Sequence, residues 1–414
     1  MNSLRNYVIV TGAYWSFMLT DGALRMLVLL FFHQLGYSPV ELASLFLLYE
    51  FFGIITNLVG GWLAHRFGLK STLIAGLILQ SGAILMLSFL DATWALAVPF
   101  VMAAQALSGI AKDLTKMSSK TAVKFLIPED ESSKLFSWVA VLTGSKNAIK
   151  GAGFFLGAFL LDFCGFESGL QIMAGAIALV LVTSLILLPR EIGKAKDKKK
   201  LKSIFSQSRD INILSLTRVF LFGARDIWFV VGVPIFMTTV MKWSFTQVGS
   251  FMAVWVILYG IIQTLTPKLV QKRTAGQKPD GRLAVELAVL LCVIMGIMAL
   301  CIYKDFHPET SLLVGLYIFG ILFAINSSIH SFLILDYADQ GKTAINVGFY
   351  YMANAVGRLV GTLLSGLLFQ VGGLLGCLTG SAVFLLITAL ISLKLPLAEH
   401  KKNNPDLKTN SSPS

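Results

Sequence analysis

The chain of 414 residues is 56% hydrophobic and only 14% charged, with a formal net charge of +12. Soluble domains carry about a quarter charged residues, so this composition and a mean hydropathy of +0.75 exclude an ordinary soluble protein. Most of the positive charge lies in short segments between apolar stretches. That placement is typical of an oriented membrane protein and argues against a nucleic-acid-binding one.

The apolar residues form twelve stretches of about 20 residues, the length that crosses a hydrocarbon core of about 30 Å. They lack the alternation of barrel strands, and a helix satisfies its own backbone hydrogen bonds in lipid. We therefore predict an all-α membrane protein with twelve transmembrane helices. The first stretch lacks the features of a cleaved signal and is expected to be retained. The stretches are 7–32, 41–63, 71–90, 94–117, 134–161, 169–189, 211–240, 245–267, 283–303, 310–335, 344–370 and 374–395.

The connections alternate in charge along the chain. One set is rich in Lys and Arg, for example in 190–209 and 268–282, whereas the other set carries mainly acids such as Asp91 and Asp162. Twelve crossings place both termini on one side, and the positive connections predict that this side is the cytoplasm. The expected location is the bacterial inner (plasma) membrane.

The two halves of the chain resemble each other. A shift of about 206 residues aligns Ser38 with Ser244 and Tyr49 with Trp255, as in carriers built from two parallel repeats. We predict two pseudo-symmetric six-helix bundles, 1–190 and 211–396. A basic cytoplasmic linker, 191–210, would join them, and the polar tail 397–414 is predicted to be disordered.

The segment after the second stretch resembles the loop signature G-x-x-x-D-R-x-G-R-R/K of the major facilitator superfamily. His65 stands in place of the acid and Leu69 in place of the first basic residue, so two of the residues that form the usual charge relay at this loop are replaced. The residues that keep the pattern, and that the resemblance implies act in conformational change, are Gly61, Arg66, Gly68 and Lys70.

Twelve charged residues fall well inside the predicted spans, where each needs a partner, a cavity or a function. The eight cations are Arg25, Lys112, Lys116, Lys146, Lys150, Arg218, Arg225 and Arg358, and the four acids are Asp21, Glu50, Asp113 and Asp226. Lys116 and Arg218 are expected to extend to the membrane surface, leaving a surplus of about two to four cations. A multiply charged anion would compensate for that surplus. Asp21 and Arg25, on one helix face, are expected to pair locally.

The superfamily resemblance implies that most of these cations face a central cavity, where Arg25 and Arg225 resemble the arginine pair of organophosphate carriers. The alternative is that they form structural ion pairs. Asp21, Glu50 and Asp226 are candidates for proton coupling, or partners for the same cations. The predicted substrate-binding residues are Arg25, Arg225, Lys146, Lys150, Arg358, Lys112 and Asn326.

Cofactor and enzyme signatures are missing. The four cysteines occur singly, which argues against a thiolate metal site, and no P-loop is present. We expect no metal, no cofactor and no catalytic activity. A transporter-like sensor or membrane-embedded enzyme is the alternative from another class.

The first 65 residues, together with SGIAKDLTKMSSKTAVK and TGSKNAIKGAGFFLG, resemble the organoarsenical efflux permeases of bacterial arsenic-resistance operons (ArsJ type). The resemblance implies export of 1-arseno-3-phosphoglycerate, an anion supplied by a glyceraldehyde-3-phosphate dehydrogenase that uses arsenate, and hence arsenate resistance. We expect a monomer in lipid, with no nucleic-acid partner. An organophosphate/phosphate exchanger or a drug/proton antiporter of the same fold remains an alternative.

Overall fold

The computed structural model describes residues 2–91, 93–124, 132–189, 208–273, 279–338 and 343–396. These residues form helices joined by turns, with no strand among them. The helices are α1 (Asn2–Gln34), α2 (Pro39–Ser44), α3 (Leu47–Phe67), α4 (Leu69–Ser88), α5 (Ala97–Lys124), α6 (Ser132–Cys164), α7 (Phe166–Leu187), α8 (Arg209–Phe229), α9 (Gly232–Thr239), α10 (Phe245–Arg273), α11 (Gly281–Tyr303), α12 (Pro308–Tyr337) and α13 (Thr343–Ser392).

Within the described residues, ten helical stretches are long and apolar enough to span a membrane. The last of them holds two crossings, because Gly373 takes a left-handed φ of 59° and interrupts α13. Helix α5 has a similar length but is not among the ten, and it carries the predicted buried charges Lys112, Asp113 and Lys116. Counting α5 and dividing α13 gives the twelve crossings that the sequence predicts.

Two crossings are interrupted. The first begins with α2, where Ser38 and Glu41 form a capping box and Pro39 occupies the first turn. The other interruption separates α8 from α9, where the backbone N–H groups of Val231 and Gly232 donate to Ser365 Oγ at 3.1 and 3.3 Å. The Ser365 side chain of α13 thus accepts hydrogen bonds from backbone N–H groups that have no partner within the interrupted helix.

The helices pack into two six-crossing bundles that meet along two seams. In the first bundle α1 packs on α5, α6 and α7, and in the second α8 packs closely on α13. Between the bundles, α6 packs on α10, and α2 and α3 pack on α13. Small residues allow these approaches, as they do in membrane helices generally. A Cβ added to Gly144 would lie 2.2 Å from Thr264 Oγ1, across the α6–α10 seam.

Several sequence predictions fall on residues that the structure does not describe. The tail 397–414 and most of the linker lie outside the described residues, and α8 begins at Arg209, inside the predicted linker. In the loop motif, Gly61 and Arg66 lie in α3, and the side chain of Arg66 is not described. Gly68 takes a φ of 81° at the start of α4.

Lys70, the last residue of the loop motif, has a visible structural role. Its Nζ donates to the carbonyl oxygens of Leu185, at 2.9 Å, and of Leu188. Both carbonyls lie at the C-terminal end of α7, where a cation satisfies unpaired oxygens and interacts favourably with the helix dipole. Lys70 therefore fastens α4 to α7.

Candidate functional site

A cavity of about 210 Å³ lies between the two bundles, lined by α1, α3, α5, α6, α8, α10, α12 and α13. All eight cations that the sequence places inside the spans line it. The first bundle contributes mainly charged and polar side chains, and the second contributes arginines among aromatic rings. The lining cations are Arg25, Lys112, Lys116, Lys146, Lys150, Arg218, Arg225 and Arg358.

A chain of ion pairs crosses the cavity from one bundle to the other. Glu50 Oε1 accepts from Arg25 Nη1 at 3.2 Å and from Arg358 Nη2 at 2.5 Å. Arg358 Nε also lies 3.3 Å from Asp226 Oδ2, and Asp226 pairs with its neighbour Arg225. Three arginines therefore share two carboxylates, and Arg358 links acids that belong to different halves.

Asp21 pairs with α6 and not with its own helix. Its carboxylate accepts from Lys150 Nζ at 2.5 Å and from the Tyr49 hydroxyl at 2.6 Å. The local Asp21–Arg25 pair predicted from the sequence is therefore wrong. The Arg25 guanidinium instead reaches Glu50 across the rings of Phe46 and Tyr49, where cation–π attraction supports it.

Lys116 and Arg218 do not extend to the membrane surface, contrary to the prediction. Lys116 Nζ donates to Asn57 Oδ1 at 2.6 Å and pairs with Asp113 at 3.0 Å. Arg218 is only 4% exposed and lies over Phe222. Hydrogen-bond acceptors inside the cavity satisfy both cationic groups, so neither side chain has to extend to the membrane surface.

Arg218 is held by groups of the second bundle. Its Nε donates to Asn354 Oδ1 and its Nη1 to the carbonyl oxygen of Ser327, both at 3.2 Å. The Phe222 ring centroid lies 3.8 Å from the guanidinium carbon. Unlike the other arginines of the cavity, Arg218 has no carboxylate within ion-pair distance among the described residues.

Asn326 does not line the cavity, although the sequence analysis assigned it to the substrate site. It is fully buried in α12, and its side-chain atoms have no hydrogen-bond partner among the described residues. Ser327 and Ser331, on another face of α12, line the cavity instead. The prediction identified the right helix but the wrong face.

Other polar residues complete the lining. Asn147 Nδ2 donates to Gln263 Oε1 at 2.7 Å and so joins the halves, and Gln263 in turn donates to the Tyr259 hydroxyl at 2.7 Å. Asn57, Asn147 and Asn354 were not assigned to the site from the sequence. Asn147 and Asn354 align between the two halves, and an amide at the same place in both repeats was the signal that could have found them.

The charge balance of the site is strongly positive. Eight cations meet four carboxylates, three on the lining and the fourth, Asp21, bound to Lys150. Ionised carboxylate and phosphate oxygens form strong, short hydrogen bonds with such donors. Among the described residues, no group of three or more His, Cys, Asp or Glu side chains could hold a metal ion. The geometry can therefore bind an anion with several negative charges.

Two bundles of six crossings around a central polar cavity define a secondary-carrier fold. The chain matches the Major Facilitator Superfamily over residues 10–362 and belongs to that family. The family and the fold are those of multi-pass membrane transporters and not of enzymes.

Solved structures support the fold. A POT family transporter in complex with a thioalcohol-conjugated peptide superposes with a TM-score of 0.73 at 15% identity, covering 93% of this chain and 95% of that one. A D-xylose-proton symporter gives 0.68 at 14% identity, covering 95% and 97%. At such identities the likeness shows the fold alone.

A curated relative is named as a cation/proton antiporter. A Na(+), Li(+), K(+)/H(+) antiporter from Planococcus maritimus is 27% identical over 186 residues, which is 43% of each chain. The matched region thus spans less than half the length of that relative.

Proposed function

We propose that this transporter carries an organic anion, and that the anion is 1-arseno-3-phosphoglycerate, exported from the cytoplasm by alternating access. The observation that carries the anion assignment is that eight cations line one cavity, whereas only three carboxylates line it and a fourth, Asp21, pairs with Lys150. The choice of an arsenical rests on the resemblance to organoarsenical efflux permeases. Arsenate and phosphate groups both present charged oxygens that Arg and Lys can bind, so the lining of the cavity suits either group.

The proposed physiological setting follows from the same resemblance. A glyceraldehyde-3-phosphate dehydrogenase that uses arsenate would supply the substrate, and export would confer arsenate resistance. We place the protein in the bacterial inner membrane with both termini in the cytoplasm, because the connections on that side carry the excess of Lys and Arg.

The contacts of the acidic residues favour their interpretation as partners of the cations over a role in proton coupling. Asp21, Glu50 and Asp226 each accept from at least one Lys or Arg. This pairing supports the view that they set the number of cations left for the substrate. Transport of Na⁺, Li⁺ or K⁺, the metal cations in the name of the curated relative, is disfavoured because a surplus of positive charge repels them.

Exchange of organophosphates for phosphate is the second candidate, since the same lysines and arginines suit it. It differs from the first in requiring phosphate on the opposite side of the membrane. Export of an arsenical should continue when that phosphate is omitted, whereas an exchanger should stop.

The test is arsenate tolerance in an arsenic-sensitive bacterium that expresses the transporter, the dehydrogenase, both or neither. We expect tolerance to rise only when both are present, and to be lost with Arg225→Ala while Lys304→Ala, an exposed control on another surface, keeps it. Quantitative immunoblots of membranes would show equal amounts of each variant. Unchanged tolerance with both proteins present would contradict the arsenical assignment.

A further inference from the structure

Tyr49 is surrounded by cations from three different helices. Its ring centroid lies 4.0 Å from Lys112 Nζ, 5.7 Å from the guanidinium carbon of Arg25 and 6.0 Å from Lys150 Nζ. The ring is 3% exposed and lies behind the cavity wall, whereas the three cations line the cavity. An aromatic face attracts cations electrostatically. Tyr49 therefore holds together three like charges that would otherwise repel one another.

The three cations differ in how far they are compensated. Lys150 is paired with Asp21, which also accepts from the Tyr49 hydroxyl at 2.6 Å. Arg25 shares Glu50 with Arg358. Lys112 has no carboxylate within ion-pair distance among the described residues, and its described contact is the Tyr49 ring.

The charge of the connected cluster indicates how much negative charge it can accept. Arg25, Lys150, Arg225 and Arg358 pair with only three acids, Asp21, Glu50 and Asp226. Lys112 joins this cluster through the Tyr49 ring as a fifth cation. The cluster thus keeps two positive charges more than negative ones. A group with two negative charges would neutralise it, whereas a carboxylate with a single charge would leave it positive.

Among the described residues of the second half, the equivalent position has no such arrangement. Trp255, the repeat partner of Tyr49, donates its indole N–H to the carbonyl oxygen of Leu316 at 2.7 Å and stacks on Tyr259 at 5.8 Å. Its described neighbours are aromatic rings such as Phe229, 5.3 Å away. The asymmetry favours one orientation of a substrate with unlike ends.

We propose that Lys112, Arg25 and Lys150 bind a doubly charged tetrahedral oxyanion group of the substrate, and that Tyr49 is the positioning residue that assembles them. Lys112 supplies the uncompensated charge and determines the preference for two negative charges over one. Tyr49 acts through its ring face and does not touch the substrate. This inference rests on the proposed anion transport and specifies which end of the anion binds to the first half.

The experiment measures dissociation constants of the purified full-length protein for 3-phosphoglycerate and for glycerate, which lacks the phosphate. In Lys112→Met we expect binding of 3-phosphoglycerate to weaken about tenfold, the loss of one charge-assisted hydrogen bond, with little change for glycerate. Lys112→Arg keeps the charge and should keep the preference, and Lys304→Met serves as the matched surface control.

Tyr49 is tested by two substitutions that separate the ring from the hydroxyl. Tyr49→Phe keeps the ring, so its dissociation constant for 3-phosphoglycerate should stay within about threefold of that of the parent protein. Tyr49→Leu removes the cation–π contacts, so its dissociation constant for 3-phosphoglycerate should rise about tenfold. If Tyr49→Leu fails to fold, Lys112→Met carries the test alone. The thermal midpoint of each unliganded variant reports on folding.

The outcomes distinguish this inference from the proposed function. If Lys112→Met binds 3-phosphoglycerate and the ratio of its two dissociation constants is unchanged, Lys112 does not determine the preference for the phosphate. That result overturns the proposed oxyanion site and leaves the proposed anion transport intact. Equal losses in Tyr49→Phe and Tyr49→Leu overturn the role of the ring. A parent protein that binds neither compound contradicts the proposed anion transport, and the inference fails with it.

Discussion

Asp21 and Lys150 show how strongly individual charges in this cavity depend on one another. Asp21 is 2% exposed and Lys150 15% exposed, and their atoms lie 2.5 Å apart. Loss of one member of such a buried pair leaves the other without compensation, which costs about 3 kcal/mol or more. Loss of both members is far less harmful, because no charge remains buried alone.

Substitution of Lys150 by Met should therefore lower the thermal midpoint of the purified protein, and Asp21→Asn in the same chain should recover most of the loss. Thermal unfolding in detergent would measure both effects. Neither protein should transport, since the cation is gone from the cavity. A double variant as unstable as Lys150→Met would show that the two charges are independent.

The identity of the cavity charges could be predicted from the sequence, but their partners could not. The span boundaries locate Arg25 and Arg358 within the membrane, and the superfamily resemblance adds the expectation that they face a cavity. Pairing depends on how each helix is rotated against its neighbours. Arg25 therefore binds Glu50 of α3, although Asp21 is its neighbour on α1. Asn326 was misplaced because it and its neighbour Ser327 lie on different faces of α12, and only Ser327 lines the cavity.

At the scale of the helices, glycines determine how closely α1 and α6 approach. A Cβ on Gly157 would lie 2.1 Å from the carbonyl oxygen of Ala23, and one on Gly153 would lie 2.3 Å from that of Leu19. Real Cβ atoms do not come so close to backbone oxygens, so the helices would have to separate. Lys150 lies on the same part of α6 and would move with it.

Gly157→Ala should reduce both the amount of folded protein and transport, because the methyl group forces α1 away from α6. Gly175→Ala on α7 is the matched control, since its added Cβ meets nothing within 4 Å and alanine is the better helix former. Size-exclusion profiles and thermal midpoints would compare the two. A Gly157→Ala protein that matches the control would contradict close packing at this seam.

Hydropathy predicted the helices well and their interruptions poorly. Apolar length predicts a crossing whether or not the helix is continuous, so it could not reveal the break between α8 and α9. That break depends on Ser365, which is distant in the chain and satisfies the open N–H groups. The turn at Gly373 could be predicted from the sequence, because the pair Gly372-Gly373 separates two apolar stretches.

Across the whole molecule, polar contacts join the two halves at one end. Asp162 Oδ2 accepts from the backbone N–H of Thr246 at 2.8 Å, and Thr238 Oγ1 lies 3.0 Å from His33 Nε2. These residues lie in the last turns of α1, α6 and α9 and in the first turn of α10. Alternating access requires the halves to separate at this end in part of the cycle.

A disulfide between Cys substituted for Asp162 and Cys substituted for Thr246 should therefore arrest transport, and a reductant should restore it. Cys164 is exposed nearby and is first replaced by Ser to prevent other pairings. The protein with only Asp162→Cys is the control and should stay active under oxidising conditions. Transport at the parent rate after complete cross-linking would show that this end does not open.

The surplus of positive charge in the cavity also has an electrical consequence. Each elementary charge that moves through the membrane field changes the energy by about 2.3 kcal/mol per 100 mV. An unloaded cavity with four more cations than carboxylates responds to that field, whereas a bound anion with several negative charges offsets much of that excess. The membrane voltage should thus act more strongly on the return of the empty carrier than on the loaded step.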